Sequence, residues 1–235
     1  MAKKKSTKKP QTVQLTPKKY IETKCRQLPI DKCLMDCTAG FVSVLIVRKM
    51  PSGNFIIGSY LLDTFCLGLK DTVFRFNVDA SECEMYINMH ASALEDLKPA
   101  NYVEAHNYIF GAIGYAEDLG FKPNKDFALT QYILEEDNDA IEFIEYEFGS
   151  EGKPLYIPGP YDDKNKIVAT LKRTVGIGNY DVMLSDGDFG DDEDDDFEFN
   201  FDYEDFDDED FDDEDFDDED DDTEDIDFEV VEDKK

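Results

Sequence analysis

Asp63, Lys70, Asp71 and His106 are the side chains of this sequence that are best suited to catalytic chemistry. The first three lie close together in the chain, on both sides of a Cys-Leu-Gly-Leu segment. Carboxylates and a lysine near strand ends can form a metal-dependent nuclease or hydrolase site. The same residue types are equally expected in an ordinary turn and in a surface ion pair. His106 would need a nucleophile or a carboxylate beside it to act as a general base. Because it lies on the apolar stripe of a predicted helix, the simpler interpretation is a residue at the edge of the core.

The cysteine pattern indicates free thiols. Five cysteines lie at positions 25, 33, 37, 66 and 83, without the Cys-x2-Cys pair that is typical of structural zinc sites. Three thiols and His90 or His106 could still converge in space, but we favour buried structural cysteines and predict no metal and no cofactor. An odd number of thiols fits a reducing compartment. The sequence contains no Gly-x-Ser-x-Gly elbow, no His-Glu-x-x-His pair and no Walker loop.

The C-terminal segment is the strongest feature. Residues 186–235 hold 32 acidic side chains against two lysines, which is −30 of the net charge of −33. A Phe-Asp-Tyr-Glu-Asp segment and three copies of Phe-Asp-Asp-Glu-Asp begin at Phe201, Phe206, Phe211 and Phe216. A period of five fits neither a helix nor a strand, and so dense a charge cannot bury enough apolar surface to fold. We therefore predict a disordered tail whose four repeat phenylalanines bind a basic surface of a protein or ribonucleoprotein. A segment that only keeps the protein soluble is the alternative.

The N-terminal segment has the opposite charge. Residues 1–19 contain seven lysines and no acid, and such a leader can contact phosphates. The acidic tail would compete with nucleic acid for these lysines, so direct nucleic-acid contact is disfavoured. A secretory signal requires an apolar stretch after its basic residues, and none follows these lysines. The longest apolar run, around residues 44–47, is far below the ~20 residues of a membrane span. We expect a soluble cytoplasmic protein without a membrane partner.

The elements that must position these residues form an α+β domain. Apolar, β-branched runs predict a hairpin of strands at 41–49 and 55–65, alternating apolar residues predict strands at 71–78 and 141–148, and a short strand is predicted at 155–157. Helical spacing, with caps at Thr16 and Gly120, predicts helices at 17–27, 81–97, 102–119, 126–135 and 163–175. This order lacks the alternation of a doubly wound fold. It predicts an antiparallel or mixed sheet in a single domain, with helices mainly on one face.

The predicted boundaries follow from charge and periodicity. They are 1–15 for a disordered lysine-rich leader, 16–185 for the α+β domain, and 186–235 for the acidic-aromatic tail.

Three stretches resemble an uncharacterised family of bacterial cytosolic proteins. They are Tyr60-Leu-Leu-Asp-Thr-Phe-Cys-Leu-Gly-Leu-Lys-Asp-Thr72, His106 with Gly111-Ala-Ile-Gly-Tyr-Ala-Glu-Asp-Leu-Gly-Phe121, and Glu147-Phe-Gly-Ser-Glu-Gly-Lys-Pro-Leu-Tyr-Ile-Pro-Gly-Pro160. The resemblance covers residues 40–175 and implies one bacterial domain across that span. No activity is established for the family, so no catalytic residue is carried over.

The sequence favours a non-enzymatic adaptor or binding protein that acts through its acidic tail. A metal-dependent hydrolase or nuclease at Asp63, Lys70, Asp71 and His106 is the first alternative. The second is a nucleic-acid-binding protein that uses the lysine-rich leader, with the tail as an internal competitor.

Overall fold

The computed structural model of the protein describes residues 15–38, 40–94 and 96–183. The leader up to residue 14 and the acidic tail with its repeat phenylalanines lie outside these residues. Their predicted disorder and the predicted domain boundaries therefore stay predictions.

The main sheet has five strands. They are β1 (Ile30–Thr38), β2 (Phe41–Lys49), β3 (Phe55–Asp63), β4 (Gly68–Val78) and β5 (Lys98–Pro99). All neighbouring pairs are antiparallel, in the order β4-β3-β2-β1-β5. The predicted hairpin of β2 and β3 is confirmed. Its turn places Gly53 at a φ of 93°, a conformation that glycine adopts without a steric penalty.

β1 forms a strand that the residue pattern does not predict. Cys33 is buried and Met35 packs against the main core, whereas Asp31 and Lys32 are exposed. Apolar side chains interrupted by charged ones give a weak alternating signal. The segment becomes a strand because β2 and β5 pair with its two edges, and this pairing is a tertiary effect.

Within the described residues the structure has five α-helices, as predicted. They are α1 (Pro17–Lys24), α2 (Ala80–Ala93), α3 (Tyr102–Asp118), α4 (Phe127–Thr130) and α5 (Lys164–Thr174). Single 3-10 turns extend α1 to Gln27 and α4 to Ile133. At the start of α1, α2, α3 and α5 the N-cap side chain accepts a backbone N–H, which fixes where each helix begins. α2 ends earlier than predicted because Leu94 is extended.

The helices pack mainly on one face of the sheet, as predicted. Val44 of β2 lies in the main core with Ile21 of α1 and Ile109 of α3. Val47, which points to the opposite face, packs with Cys83 of α2 in a smaller cluster. The two faces therefore carry unequal helical cover, and together they make one α+β domain.

Residues 141–148 do not form the predicted strand. The N–H of Ile144 donates to Oδ1 of Asn107 on α3 at 2.9 Å. The ring of Tyr146 stacks on Tyr108 of the same helix, with 3.9 Å between ring centroids. The period of two in this segment is therefore real, but its apolar face lies on a helix and not on a neighbouring strand.

A second, small sheet lies near the end of the described chain. β6 (Leu155–Tyr156) pairs in parallel with β7 (Asp181–Val182). Although residues 141–148 precede β6 by only a turn, they are not its partner. The correct partner lies 26 residues away along the chain, after α5.

Candidate functional site

Asp63 is the last residue of β3 and has a buried carboxylate with one unpartnered oxygen. Its Oδ1 accepts the backbone N–H groups of Phe65 at 2.9 Å and Cys66 at 3.0 Å. Its Oδ2 is buried and has no hydrogen-bond partner among the described residues. Burial raises the pKa of Asp63 even though these N–H groups and Lys70 oppose it. A buried polar atom without a partner is rare in folded proteins and destabilises them, so this oxygen marks a candidate site.

Lys70 forms a half-buried ion pair with Asp162. Its Nζ lies 3.1 Å from Oδ1 and 3.0 Å from Oδ2 of that carboxylate. Oδ2 also accepts the N–H of Gly159 at 2.8 Å and the hydroxyl of Tyr156 at 3.4 Å. Burial raises the pKa of Asp162, but the N–H of Gly159 and the Lys70 ammonium outweigh it and lower the pKa below its usual value. This carboxylate is therefore ionised and held by four donor contacts.

The charge of Asp63 also affects the pKa values of Cys66 and Tyr115. Burial, followed by the charge of Asp63, raises the pKa of the Cys66 thiol to about 12. Burial also raises the pKa of the Tyr115 hydroxyl to about 12, and Cys66 and Asp63 add to it. A thiol with this pKa is protonated at neutral pH and is a poor nucleophile. We call Asp63, Cys66, Lys70, Tyr156 and Asp162 the Asp63 cluster.

Backbone hydrogen bonds hold the cluster together. The turn after β3 accepts two of them, from Gly149 to the carbonyl of Thr64 at 2.9 Å and from Leu155 to the carbonyl of Phe65 at 3.1 Å. Residues 149–162 are therefore fixed on the turn between β3 and β4. The cluster therefore joins a hairpin to a distant loop. Its lysine forms an ion pair, its thiol is protonated at neutral pH, and its carboxylates accept backbone N–H groups.

Asp71 lies away from this cluster. It is exposed on β4, opposite Leu61 of β3, and its Oδ1 accepts the N–H of Thr72. The predicted group of Asp63, Lys70 and Asp71 is thus divided: the first two share the turn, and the third lies on the sheet face that carries Leu61.

His106 is also separate. It is buried on α3, where its Nε2 lies 3.2 Å from the carbonyl oxygen of Glu135 and its ring lies 4.5 Å from that of Phe110. Burial lowers the pKa of His106, and the contact with the Glu135 carbonyl partly opposes this. The side chain is therefore a neutral imidazole packed into the core at neutral pH.

The five cysteines are free thiols. Those at 25, 33, 66 and 83 are buried, and Cys37 is exposed. Within residues 15–38, 40–94 and 96–183, no group of three or more His, Cys, Asp or Glu side chains is placed to hold a metal ion.

Sequence reasoning did not single out Asp162, Gly159 or Tyr156. The segment Pro158-Gly159-Pro160 follows the predicted strand at 155–157, and two aspartates come directly after Tyr161. An aspartate behind a proline-glycine turn is a common backbone cap, and this signal could have suggested a partner for Lys70.

An open surface depression of about 390 Å³ lies where the chain leaves α3. Its lining combines apolar side chains with two lysines and three other polar residues: Glu117, Lys122, Pro123, Asn124, Lys125, Phe127, Ala128 and Gln131. The side chain of Asn124 donates to the carbonyl of Lys70 at 3.1 Å. The depression therefore adjoins the strand that carries Lys70.

Comparison of the chain with models of known protein families, with curated proteins and with solved structures finds no match. No assignment to a family follows. In the part of the chain that the structure describes, no helix has the length and apolar character needed to cross a membrane.

Proposed function

We propose that the protein is a non-enzymatic binding protein whose acidic segment, residues 186–235, engages or shields a basic surface of a protein or ribonucleoprotein. The observation that carries this proposal is the composition of the segment. It concentrates a net charge of −30 and spaces four phenylalanines five residues apart.

Two forces of different range support this role. A polyanion of this density attracts a basic surface over about a Debye length, which is about 8 Å at physiological ionic strength. The phenylalanine rings act at contact, where they stack on cationic side chains, and arginine forms such contacts more often than lysine. Charge therefore supplies the attraction, and the rings favour partners that are rich in arginine.

The described domain supports this assignment indirectly. Lys70 is already held by Asp162, and the Cys66 thiol is protonated at neutral pH. Lys70 thus has a structural task and Cys66 is a poor nucleophile, and both observations favour a binding function over hydrolysis. The free thiols are consistent with a reducing, cytoplasmic location.

The test compares two variants of the full chain. One replaces the four repeat phenylalanines with alanine: Phe201, Phe206, Phe211 and Phe216. The matched control replaces the other four phenylalanines of the acidic segment: Phe189, Phe197, Phe199 and Phe228. The probes are an arginine peptide and a lysine peptide of equal length and charge. We expect the native protein to bind the arginine peptide more tightly, with an affinity that falls as salt rises. We expect the repeat variant to lose that preference and the control variant to keep it.

The contrary outcomes are equally specific. If the repeat variant binds both peptides as the native protein does, the rings have no role in recognition. If the native protein binds neither peptide at low salt, the segment serves solubility alone. Tight binding of a single-stranded RNA probe with a steep salt dependence would instead support the lysine-rich leader as the binding element. Where the arginine preference is observed, capture from native cytosol with the native protein, the repeat variant and the control variant identifies the partner.

A further inference from the structure

The outer edge of β4 presents main-chain groups that no described strand pairs with. β4 is the end strand of the sheet, with β3 on its inner side. An edge strand is a template on which another strand can pair.

Both ends of the edge are already closed. The N–H of Asn124 donates to the carbonyl of Leu69 at 3.0 Å, and its side chain donates to the carbonyl of Lys70. At the other end Asn77 has a φ of 60°, which interrupts the extended backbone. The stretch that remains for pairing is residues 71–76, which is a short and well-defined window.

The exposed side chains in this window have a self-complementary pattern. Asp71, Val73 and Arg75 are all exposed and point to the same face of the sheet, since successive residues of a strand alternate. Val73 is 39% exposed, and Leu61, which lies opposite Asp71 on β3, is 38% exposed. An apolar residue therefore lies between an acid and a base, each two positions away.

We propose that two copies of this chain form a dimer in which β4 pairs with β4 of the second copy, antiparallel and centred on Val73. This register places Asp71 opposite Arg75 of the second copy, and the twofold axis repeats the pair on the other side. Val73 meets its own counterpart, and both five-stranded sheets become one continuous sheet. Opposite charges directly across an antiparallel pair stabilise it, and a twofold interface must be self-complementary in this way.

Arg75 is in contact with α2 in the monomer. Its guanidinium lies 5.5 Å from the ring centroid of Tyr86 on α2, so the side chain already lies over the sheet face. The second strand would add main-chain hydrogen bonds to the edge without moving the caps at Asn124 and Asn77.

The dimer has a distinctive dependence on salt. Each chain carries a net charge of −33, so two copies repel each other. Salt screens this repulsion, whereas main-chain hydrogen bonds between strands are far less sensitive to it. The dimer therefore becomes tighter as salt rises, in contrast to the binding of basic peptides by the acidic segment, which weakens. The two proposals can fail independently.

The experiment is sedimentation velocity of the full chain over a range of concentrations and salt. Three variants are compared with the native protein: Asp71→Arg, Arg75→Asp and the double variant that carries both changes. Each single change sets like charges opposite each other twice, and we expect the dimer to weaken about tenfold. The double variant exchanges the two charges and keeps the net charge, so it restores the dimer. Asp71→Arg also makes the chain less negative, so a weaker dimer in that variant cannot come from overall repulsion.

Thermal unfolding of each variant shows whether the domain is intact. A native protein that stays monomeric at all concentrations and salt conditions overturns the proposal. So does a dimer that neither single variant weakens, because the interface would then lie elsewhere. A double variant that folds but stays as weak as the single variants rules out the register centred on Val73.

Discussion

The ring of Phe148 lies directly against Gly111 in the middle of α3. A Cβ added at Gly111 would come within 2.8 Å of two ring atoms of Phe148. The same ring stacks on Tyr115 one turn further along the helix, with 5.7 Å between the ring centroids. The absence of a side chain at Gly111 therefore lets residues 141–148 lie flat on the helix.

We predict that Gly111→Ala and Gly114→Ala have opposite effects on stability. Gly114 lies in the same helix, and an added Cβ there meets no atom within 4 Å. Gly114→Ala should raise the free energy of unfolding by about 0.5–1 kcal/mol, because alanine loses less conformational entropy in a helix. Gly111→Ala should lower it by about 1 kcal/mol or more, because Phe148 has to move.

Urea denaturation of both variants measures this difference. Hydrogen exchange should also become faster in residues 141–148 of Gly111→Ala and stay unchanged in Gly114→Ala. Equal stabilisation by the two alanines would show that Phe148 moves aside freely and that Gly111 is not needed for this contact.

The second prediction concerns the pH dependence caused by Asp63. Burial raises the pKa of this carboxyl in the folded protein above its ordinary value. Between the two pKa values the folded state binds more protons than the unfolded state, so stability falls as pH rises through this window. Asp63→Asn keeps the acceptor for Phe65 and Cys66 and removes the buried charge. It should raise the free energy of unfolding at neutral pH by about 1 kcal/mol.

Denaturation curves of native protein and Asp63→Asn at several pH values test this effect. The gain should shrink at acidic pH, where the native carboxyl is protonated in both states. A variant that is less stable than the native protein at neutral pH would mean that a bound water or ion satisfies Oδ2.

The third prediction concerns Arg48, a buried cation that spans three structural elements. Its Nε donates to the carbonyl of Ile133 and its Nη1 to that of Leu28, both at 2.6 Å, while Nη2 lies 2.8 Å from Oε1 of Glu135. Arg48→Met would leave both carbonyls without this donor and Glu135 without its partner. We expect a loss of about 3 kcal/mol in the free energy of unfolding.

Glu135→Gln is the matched control for Arg48→Met. The glutamate side chain is 38% exposed, so water can replace its contact with the guanidinium. The loss in urea denaturation should stay below about 1 kcal/mol. If both variants lose the same free energy, the ion pair and not the pair of carbonyls accounts for the role of Arg48.

The fourth prediction concerns thiol reactivity. Cys37 is exposed, whereas burial raises the pKa of Cys66 to about 12 and that of Cys25 to about 11. With iodoacetamide at neutral pH, Cys37 should be modified first, and the four buried thiols only after the chain unfolds. Its reaction should be slower than that of a free thiol, since partial burial and Asp36 also raise the pKa of Cys37. Peptide mass spectrometry identifies each product, and rapid native alkylation of Cys66 would contradict its assignment to the interior.

The sequence predicts the elements that depend on nearby residues. The side chain of Thr16 accepts the N–H of Lys19 at the start of α1. The side chain of Asp163 accepts the N–H of Lys166 at the start of α5. The hairpin of β2 and β3 follows from β-branched runs around a proline-glycine turn. These signals act over a few residues, so they are present in the sequence whatever the rest of the chain does.

The partner of an alternating segment is not a local property. Residues 141–148 have the period of a half-buried strand, and only the position of α3 decides that their rings meet Tyr108 and Tyr115. β1 is the opposite case: its alternating pattern is weak, yet the segment forms a strand because it pairs with β2 and β5. The alternating pattern predicts that one face of the segment is buried, but it does not predict which element that face packs against.

By itself the sequence determined the helix starts, the central hairpin, the α+β class and the division of charge along the chain. Only the tertiary structure decided that Lys70 meets Asp162, 92 residues away, and that Asp71 and His106 lie apart from Asp63. The physical reason is the range of the interactions. Caps, turns and propensities act between neighbours, whereas a side-chain cluster forms only after loops and helices have packed and their ordering entropy has been offset by burial.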